Sequence, residues 1–386
     1  MASNVDRGNA ERGRTTRSTT APVRSEPVLV VLPENRGYPI YFEPLADVPL
    51  RLRVRGLSPG RCFVVTDEQV ARQHLGPLLH GLRRQRWQPE ALVLPAGEET
   101  KSMVHLARIQ TWALENGIDR SRPLLALGGG VVGDLAGFAA ATTLRGVPLV
   151  QLPTSLIAQV DAAIGGKTGI NHRLGKNLVG AFYQPRFVHI DQDVLATLPE
   201  REWTSGLAEV VKYGLIADAE FFAFLETNWD ALLARDETVV AHVLHRSAAI
   251  KADVVGHDER ESGRRATLNF GHTFAHAIER VAGYGTFTHG EAVALGMRAA
   301  LHLSRTLRQA FPFERTDALV ARLPVPGSLS ALSDDDLIAA MRTDKKRIGG
   351  RIRFVVLDDL GLARVTDNVS EDAVAAAWAY ARSVSG

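Results

Sequence analysis

Pro123-Leu-Leu-Ala-Leu-Gly-Gly-Gly-Val-Val-Gly-Asp134, leading into a helical run over 135–143, is the stretch on which the fold turns. The apolar residues up to Leu127 read as a buried strand, and the G-x-G-x-x-G spacing from Gly128 to Gly133 reads as a tight strand-to-helix turn. A turn bare of side chains lets backbone amides approach a pyrophosphate at a helix N-terminus, where the helix dipole favours anions. The same glycines could serve packing alone, so a nucleotide site and a purely structural turn both remain open on this element. The stretch departs from the usual dinucleotide fingerprint, because the next strand ends in Pro153-Thr154-Ser155 instead of an acidic residue. A ribose carboxylate could come from Asp67, after Val65-Thr66, for which a helix N-cap is the alternative reading.

On either side, strand-like apolar runs at 28–32, 62–65, 91–94, 147–152 and 187–190 alternate with amphipathic stretches. That alternation predicts an α/β domain with a largely parallel sheet over residues 27–198. Beyond Pro199 the pattern becomes helical, at 205–216, 237–255, 267–282 and 290–305, which predicts a mostly α-helical domain over 199–386. Its last segment runs from 334 to about 385, with a possible small hairpin at 351–357 after Gly349-Gly350. Residues 1–26 are rich in Arg, Ser and Thr without an apolar core, which argues for a disordered tail and against a secretory signal.

Composition narrows the classes further. The chain has 386 residues, 45% hydrophobic and 23% charged, with a formal net charge of +2. That near balance excludes a basic nucleic-acid binder or a polybasic membrane-surface protein. The least polar window, 123–141, holds five glycines and Asp134, which excludes a membrane span. Cys62 is the single cysteine and sits in an apolar run, so a core thiol in a reducing, cytoplasmic compartment is expected. Only seven of the 45 basic side chains are lysine, at 101, 167, 176, 212, 251, 345 and 346.

Several polar clusters could carry chemistry. Residues 159–177 place Asp161, Lys167, Lys176 and Asn177 between glycines; the two lysines suit a phosphoryl group, although a solvated loop would explain them equally well in isolation. Glu209 and Lys212 lie one helical turn apart, His272 and His276 lie at i and i+4, and His289 follows just before Gly290-Glu291. One carboxylate and two imidazoles would leave open positions on a divalent ion, but a histidine pair on a helix is often coincidental in a chain with twelve histidines.

The segments Gly128–Asp134, Gln159-Val-Asp161, Gly165-Gly-Lys-Thr168, Gly175-Lys-Asn177, Ser205-Gly-Leu-Ala-Glu209-Val-Val-Lys212-Tyr-Gly214, Leu268-Asn269-Phe-Gly-His272-Thr-Phe-Ala-His276, His289-Gly-Glu-Ala292 and Asp344-Lys345-Lys346 together resemble those of 3-dehydroquinate synthases, within the sugar-phosphate cyclase superfamily. The resemblance runs in order from about residue 60 to 360. It implies an NAD- and metal-dependent lyase that closes 3-deoxy-D-arabino-heptulosonate 7-phosphate into 3-dehydroquinate with release of phosphate, in the shikimate pathway of aromatic amino acid biosynthesis. Carried over by position, Glu209, His272 and His289 would bind Zn2+, Co2+ or another divalent ion. NAD would touch Asp67, Gly97, Glu98, Glu99, Thr100, Lys101, Gly130, Val131, Val132, Gly133, Asp134, Thr154, Ser155, Lys167, Lys176, Val194, Leu195, Ala196 and Thr197. The substrate phosphate would meet Arg145, Lys167, Asn177 and a lysine of the Lys345–Lys346 pair. Lys251, Arg265 and Asn269 would hold the carboxylate end, with Asp161 and Lys212 between, and His276 would move the alcohol proton. The resemblance also implies a homodimer in which Arg145 reaches a neighbouring subunit, with a small phosphorylated keto-acid as partner and neither nucleic acid nor membrane. Alternatives are a related cyclase such as an amino-dehydroquinate synthase, a metal-dependent alcohol dehydrogenase, which would need no phosphate cluster, and a nucleotide-binding regulatory protein. All seven lysines fall at positions that the resemblance assigns to cofactor, phosphate or substrate contacts, which predicts that at least six of them line one interdomain cleft.

Overall fold

A computed structural model describes residues 26–385 apart from 262, 284, 309–310 and 346–351. The predicted tail, but for Glu26, therefore lies outside the described residues, as do Lys346 and Gly349-Gly350. Strands β1 (Val28–Val30), β2 (Tyr38–Phe42), β3 (Arg61–Asp67), β4 (Gln88–Leu94), β5 (Leu124–Gly128) and β6 (Leu149–Pro153) are followed by β7 (Lys167–His172), β8 (Gly175–Phe182) and β9 (Phe187–Ile190). One seven-stranded sheet has the order β1-β2-β9-β6-β5-β3-β4, parallel except for the β1–β2 pair, while β7 and β8 form a separate antiparallel hairpin.

Both faces of the sheet are covered. Along β3, Phe63 and Val65 sink into a core with the helices Met103–Glu115 and Gly130–Thr142, and Cys62 and Val64 sink into another with Leu52, Leu78 and Leu82. Double-sided burial is why these strands read as continuous apolar runs. It also pushes the Cys62 thiol up to about 12, which leaves it unreactive.

Helices Glu200–Ala217, Ala219–Leu233, Glu237–His257, His272–Ala282 and His289–Leu307 follow the sheet, so the α/β half and the helical half appear in the expected order. The helix read from Thr267 begins only at His272, because Arg264–Asn269 form a 3-10 turn and Gly271 takes the left-handed conformation (φ 78°). The strand Phe354–Asp359 pairs with Leu362–Thr366, which follows it, around Gly361 (φ 81°) instead of with a segment before it. Two elements escape sequence reading: β2, where Pro39 argues against a strand, and the β7–β8 hairpin, whose glycines break any alternation.

The largest core crosses between the halves. Val30, Tyr38, Ile40, Leu156, Val160, Val188 and Ile190 belong to the same cluster as Leu207, Val211, Ile250, Val254 and Phe270. Among the described residues no helix is long and apolar enough to cross a membrane.

Candidate active site and metal centre

The chain leaves β3 for β4 on one side and returns with β5 on the other, so the crevice outside the carboxyl ends of β3 and β5 is the sheet's switch point. Phe63 lies opposite Leu124 and Val65 opposite Ala126, a register that sets Asp67 level with Gly128. Gly128 tolerates no side chain, since a Cβ there would lie 2.6 Å from the Cβ of Val132 as the helix curls back over the strand. The helix from Gly130 has Gly129 as its N-cap with no capping side chain, which leaves its first amides without a helical or capping acceptor. Thr154 and Ser155 are buried just beyond β6. Asp67 accepts from the amides of Gln69 (2.8 Å) and Val70 (3.0 Å), the N-cap geometry of its alternative reading. Val194 and Leu195 are buried in the 3-10 turn Gln192–Thr197, where Thr197 Oγ1 lies 3.0 Å from His74 Nε2.

The loop from Gly97 to Lys101 includes a 3-10 turn over Glu98–Thr100, pinned by Thr100 donating to the Pro95 carbonyl at 2.7 Å. The buried Lys101 Nζ donates to Asp134 Oδ2 and Asn177 Oδ1, both at 2.5 Å. Burial raises the Asp134 carboxyl and Lys101 only partly offsets this, so its pKa stays above the ordinary value. Asn177 has left-handed backbone (φ 57°) and donates its N–H to Asn171 Oδ1 at 3.0 Å, while Asn171 Nδ2 donates to Glu98 at 2.6 Å. The hairpin and the 97–101 loop are thereby joined.

Glu209, His272 and His289 offer ligand atoms that all lie within 4.8 Å of one another. Glu209 Oε1 is 3.6 Å from His272 Nε2 and 3.8 Å from His289 Nε2. That oxygen is buried with no hydrogen-bond partner among the described residues, an arrangement a divalent cation would satisfy. His272 Nδ1 is 3.1 Å from the Phe270 carbonyl, which favours the tautomer with Nε2 free as a ligand. Burial, reinforced by Lys212, holds the His272 pKa well below the usual imidazole range. Lys212, 1% exposed, donates to the other oxygen of Glu209. The exposed His276 lies one turn beyond His272, with ring centroids 5.9 Å apart.

Beside this cluster Lys251 Nζ donates to Asp161 Oδ1 at 2.5 Å, and the Tyr213 hydroxyl donates to the same oxygen at 2.6 Å. Burial alone would raise the Asp161 carboxyl, but Lys251 and Lys212 hold it well below the carboxylate range. Burial lowers Lys251 to about 8 against the pull of Asp161. Arg265 is fully buried and donates to the carbonyls of Glu259 (2.5 Å) and Gly165 (3.1 Å), with no partner for Nε among the described residues. Glu261 bridges Lys167 (2.5 Å) and Asn269 (3.0 Å).

Five of the seven lysines are thus described with a carboxylate partner: Lys101 with Asp134, Lys167 with Glu261, Lys176 with Glu279, Lys212 with Glu209 and Lys251 with Asp161. Of Lys345 only its place at the end of the helix Asp334–Lys345 is described. Arg145 is exposed on the turn Thr143–Arg145 with φ 63°. Tyr213, Glu261 and Glu279 were not singled out by sequence; for Glu279 a signal existed, its i+7 spacing from His272 on the same helix.

Residues 91–205 match the family model for the 3-dehydroquinate synthase N-terminal domain, and 206–347 match that for the C-terminal domain. A 3-dehydroquinate synthase of Salinibacter ruber is 56% identical over 363 residues, covering 94% of this chain and 99% of that protein. The 3-dehydroquinate synthase of Nitrosomonas europaea is 47% identical over 353 residues, covering 89% and 94%. Among solved structures, 2-epi-5-epi-valiolone synthase from Streptomyces hygroscopicus subsp. jinggangensis 5008, with NAD+ and Zn2+ bound, superposes with a TM-score of 0.80 at 29% identity, covering 89% of this chain and 96% of that one. A glycerol dehydrogenase from Schizosaccharomyces pombe shares the fold alone, with a TM-score of 0.63 at 17% identity, covering 88% of each chain.

Proposed function

The chain belongs to the 3-dehydroquinate synthase family, and on that premise we propose that it converts 3-deoxy-D-arabino-heptulosonate 7-phosphate to 3-dehydroquinate and phosphate. The observation that carries this reading is the meeting of Glu209, His272 and His289 beside Lys212, Lys251 and Asp161, in a chain whose two halves match both family models.

The crevice at the switch point would hold NAD, which would supply a regenerated hydride acceptor, and Glu209, His272 and His289 would hold a divalent ion, which would supply a Lewis acid for substrate hydroxyls. The uncapped amides from Gly130 receive the cofactor's phosphates, with Asp67, the 97–101 loop, Asp134, Thr154, Ser155, Lys176 and the 194–197 turn around it. Lys167, Asn177, Arg145 and a lysine of the 345–346 pair orient the substrate phosphoryl group, so that it leaves along a fixed path. Lys251 and Asn269 hold the carboxylate end; Arg265, already spending donors on two carbonyls, contributes mainly its charge. Lys212 and Asp161 fix the hydroxyls between, and His276, exposed toward solvent, carries the alcohol proton away. Glu261 is the carboxylate that pairs with both Lys167 and Asn269 and so holds the two side chains together.

We further propose a division at 198/199 into a cofactor half and a metal half, a cytoplasmic location in keeping with the lone buried cysteine, and a homodimer in which Arg145 serves the neighbouring site. Purified protein incubated with NAD, Zn2+ or Co2+ and the heptulosonate phosphate should release phosphate without net NADH. Lasting NADH accumulation would instead indicate a dehydrogenase, and no turnover would defeat the proposal.

A further inference from the structure

Nothing in that chemistry uses Glu279, whose carboxylate is buried one turn beyond His276 with its side chain 7% exposed. It shares a helix face with His272 and His276, at i+7 and i+3. Its Oε1 lies 3.7 Å from His289 Nδ1 and 3.2 Å from Lys176 Nζ. The His289 ring therefore stands between two carboxylates, with Nε2 facing Glu209 and Nδ1 facing Glu279. A neutral imidazole carries one N–H, and a ring that offers Nε2 to an ion must keep its proton on Nδ1. An acceptor beside Nδ1 selects that tautomer and fixes the ring plane. For His272 the acceptor is the Phe270 carbonyl at 3.1 Å; for His289 the group that faces Nδ1 is the Glu279 carboxylate, a full negative charge at ion-pair distance (3.7 Å). Because Glu279 faces the opposite nitrogen from Glu209, it orients a ligand instead of adding one.

We propose that Glu279 is a positioning residue of the metal centre, holding His289 with Nε2 toward the ion and, through Lys176, tying the β7–β8 hairpin to that ligand. The inference rests on the reading of Glu209, His272 and His289 as metal ligands. The test compares wild type, Glu279→Gln and His289→Ala by chelator competition for Zn2+ and Co2+ and by the visible spectrum of the Co2+-loaded proteins. Glu279→Gln keeps the shape of the side chain and removes its charge. It is expected to weaken both ions about 10–100-fold and to alter the Co2+ bands, while His289→Ala loses high-affinity binding. Wild-type affinity and an unchanged spectrum in Glu279→Gln would overturn the inference while leaving the ligand reading intact. If wild type itself bound no ion, or His289→Ala bound as tightly, the ligand reading would fall and the inference with it. Should Glu279→Gln not fold, long-range 15N correlation spectra of Zn2+-loaded wild type decide: Nδ1–H with a ligated Nε2 at His289 is expected, and the opposite tautomer refutes the proposal.

Discussion

Lys212→Met should destabilise the metal-free protein far more than the metal-loaded one. Lys212 is 1% exposed and donates to Glu209, itself 1% exposed, whose other oxygen has no hydrogen-bond partner among the described residues. Methionine fills nearly the same volume, so the substitution isolates the charge. Removing one member of a buried ion pair costs about 3–5 kcal/mol, because the remaining charge is left in a medium that solvates it poorly. With an m-value near 3 kcal/mol per molar, that is a drop in urea midpoint of roughly 1–2 M. A bound divalent cation supplies the missing positive partner, so saturating Zn2+ should shrink the deficit to below about 1 kcal/mol. Urea titrations followed by tryptophan fluorescence read this directly, since Trp203 is buried in the same helix as Glu209 and Lys212. A metal-free deficit under 1 kcal/mol, or one of equal size with and without Zn2+, would refute the view that Lys212 stands in for the ion.

Burial lowers the Lys251 ammonium to about 8, so its charge is present below that pH and lost above it. kcat/KM for an anionic substrate should fall about tenfold per pH unit above pH 8, and Lys251→Arg, which does not titrate there, should remove that limb; a wild-type profile flat to about pH 9.5 contradicts this. Gly165 has φ 102°, and a Cβ there would lie 2.4 Å from Arg265 Nη2 and 2.8 Å from Val255 Cγ2. Backbone strain and overpacking of about 1–3 kcal/mol each give an expected loss of about 2–6 kcal/mol for Gly165→Ala, and a change below 1 kcal/mol on urea unfolding would show that the site relaxes. Lys101→Met strips both Asp134 and Asn177 of their donor, and NADH affinity by fluorescence titration should weaken about 10–100-fold; unchanged affinity would detach Lys101 from the cofactor site.

The middle of the sheet was legible because its central strands are buried on both faces, so Cys62-Phe-Val-Val65 announces itself without any alternation to interpret. The glycine-rich turn was legible because a Cβ at Gly128 cannot be accommodated, a constraint that leaves a mark in the chain. Helix boundaries were less so. Thr267 to Phe270 carry helix-compatible side chains, yet the 3-10 turn over Arg264–Asn269 and the left-handed Gly271 move the start to His272. The ligand trio is spread over 80 residues, and its spacing alone is ambiguous; in the sequence only the family resemblance groups the three. The partners that tune it, such as Tyr213 on Asp161 and Glu279 on His289, depend on which helix faces which, information no local window contains.

β1 packs against the helix Glu237–His257, and Tyr38 and Ile40 share their core with Leu207 and Ile250. During vectorial synthesis those early strands emerge some 200 residues before the helix that covers them. At about 5–20 residues per second, that is a wait of roughly 10–40 s with an apolar edge uncovered. The nascent chain should therefore gain from a holding chaperone until its second half has been translated, and an expression host short of such chaperones is expected to lose yield at that stage rather than after release.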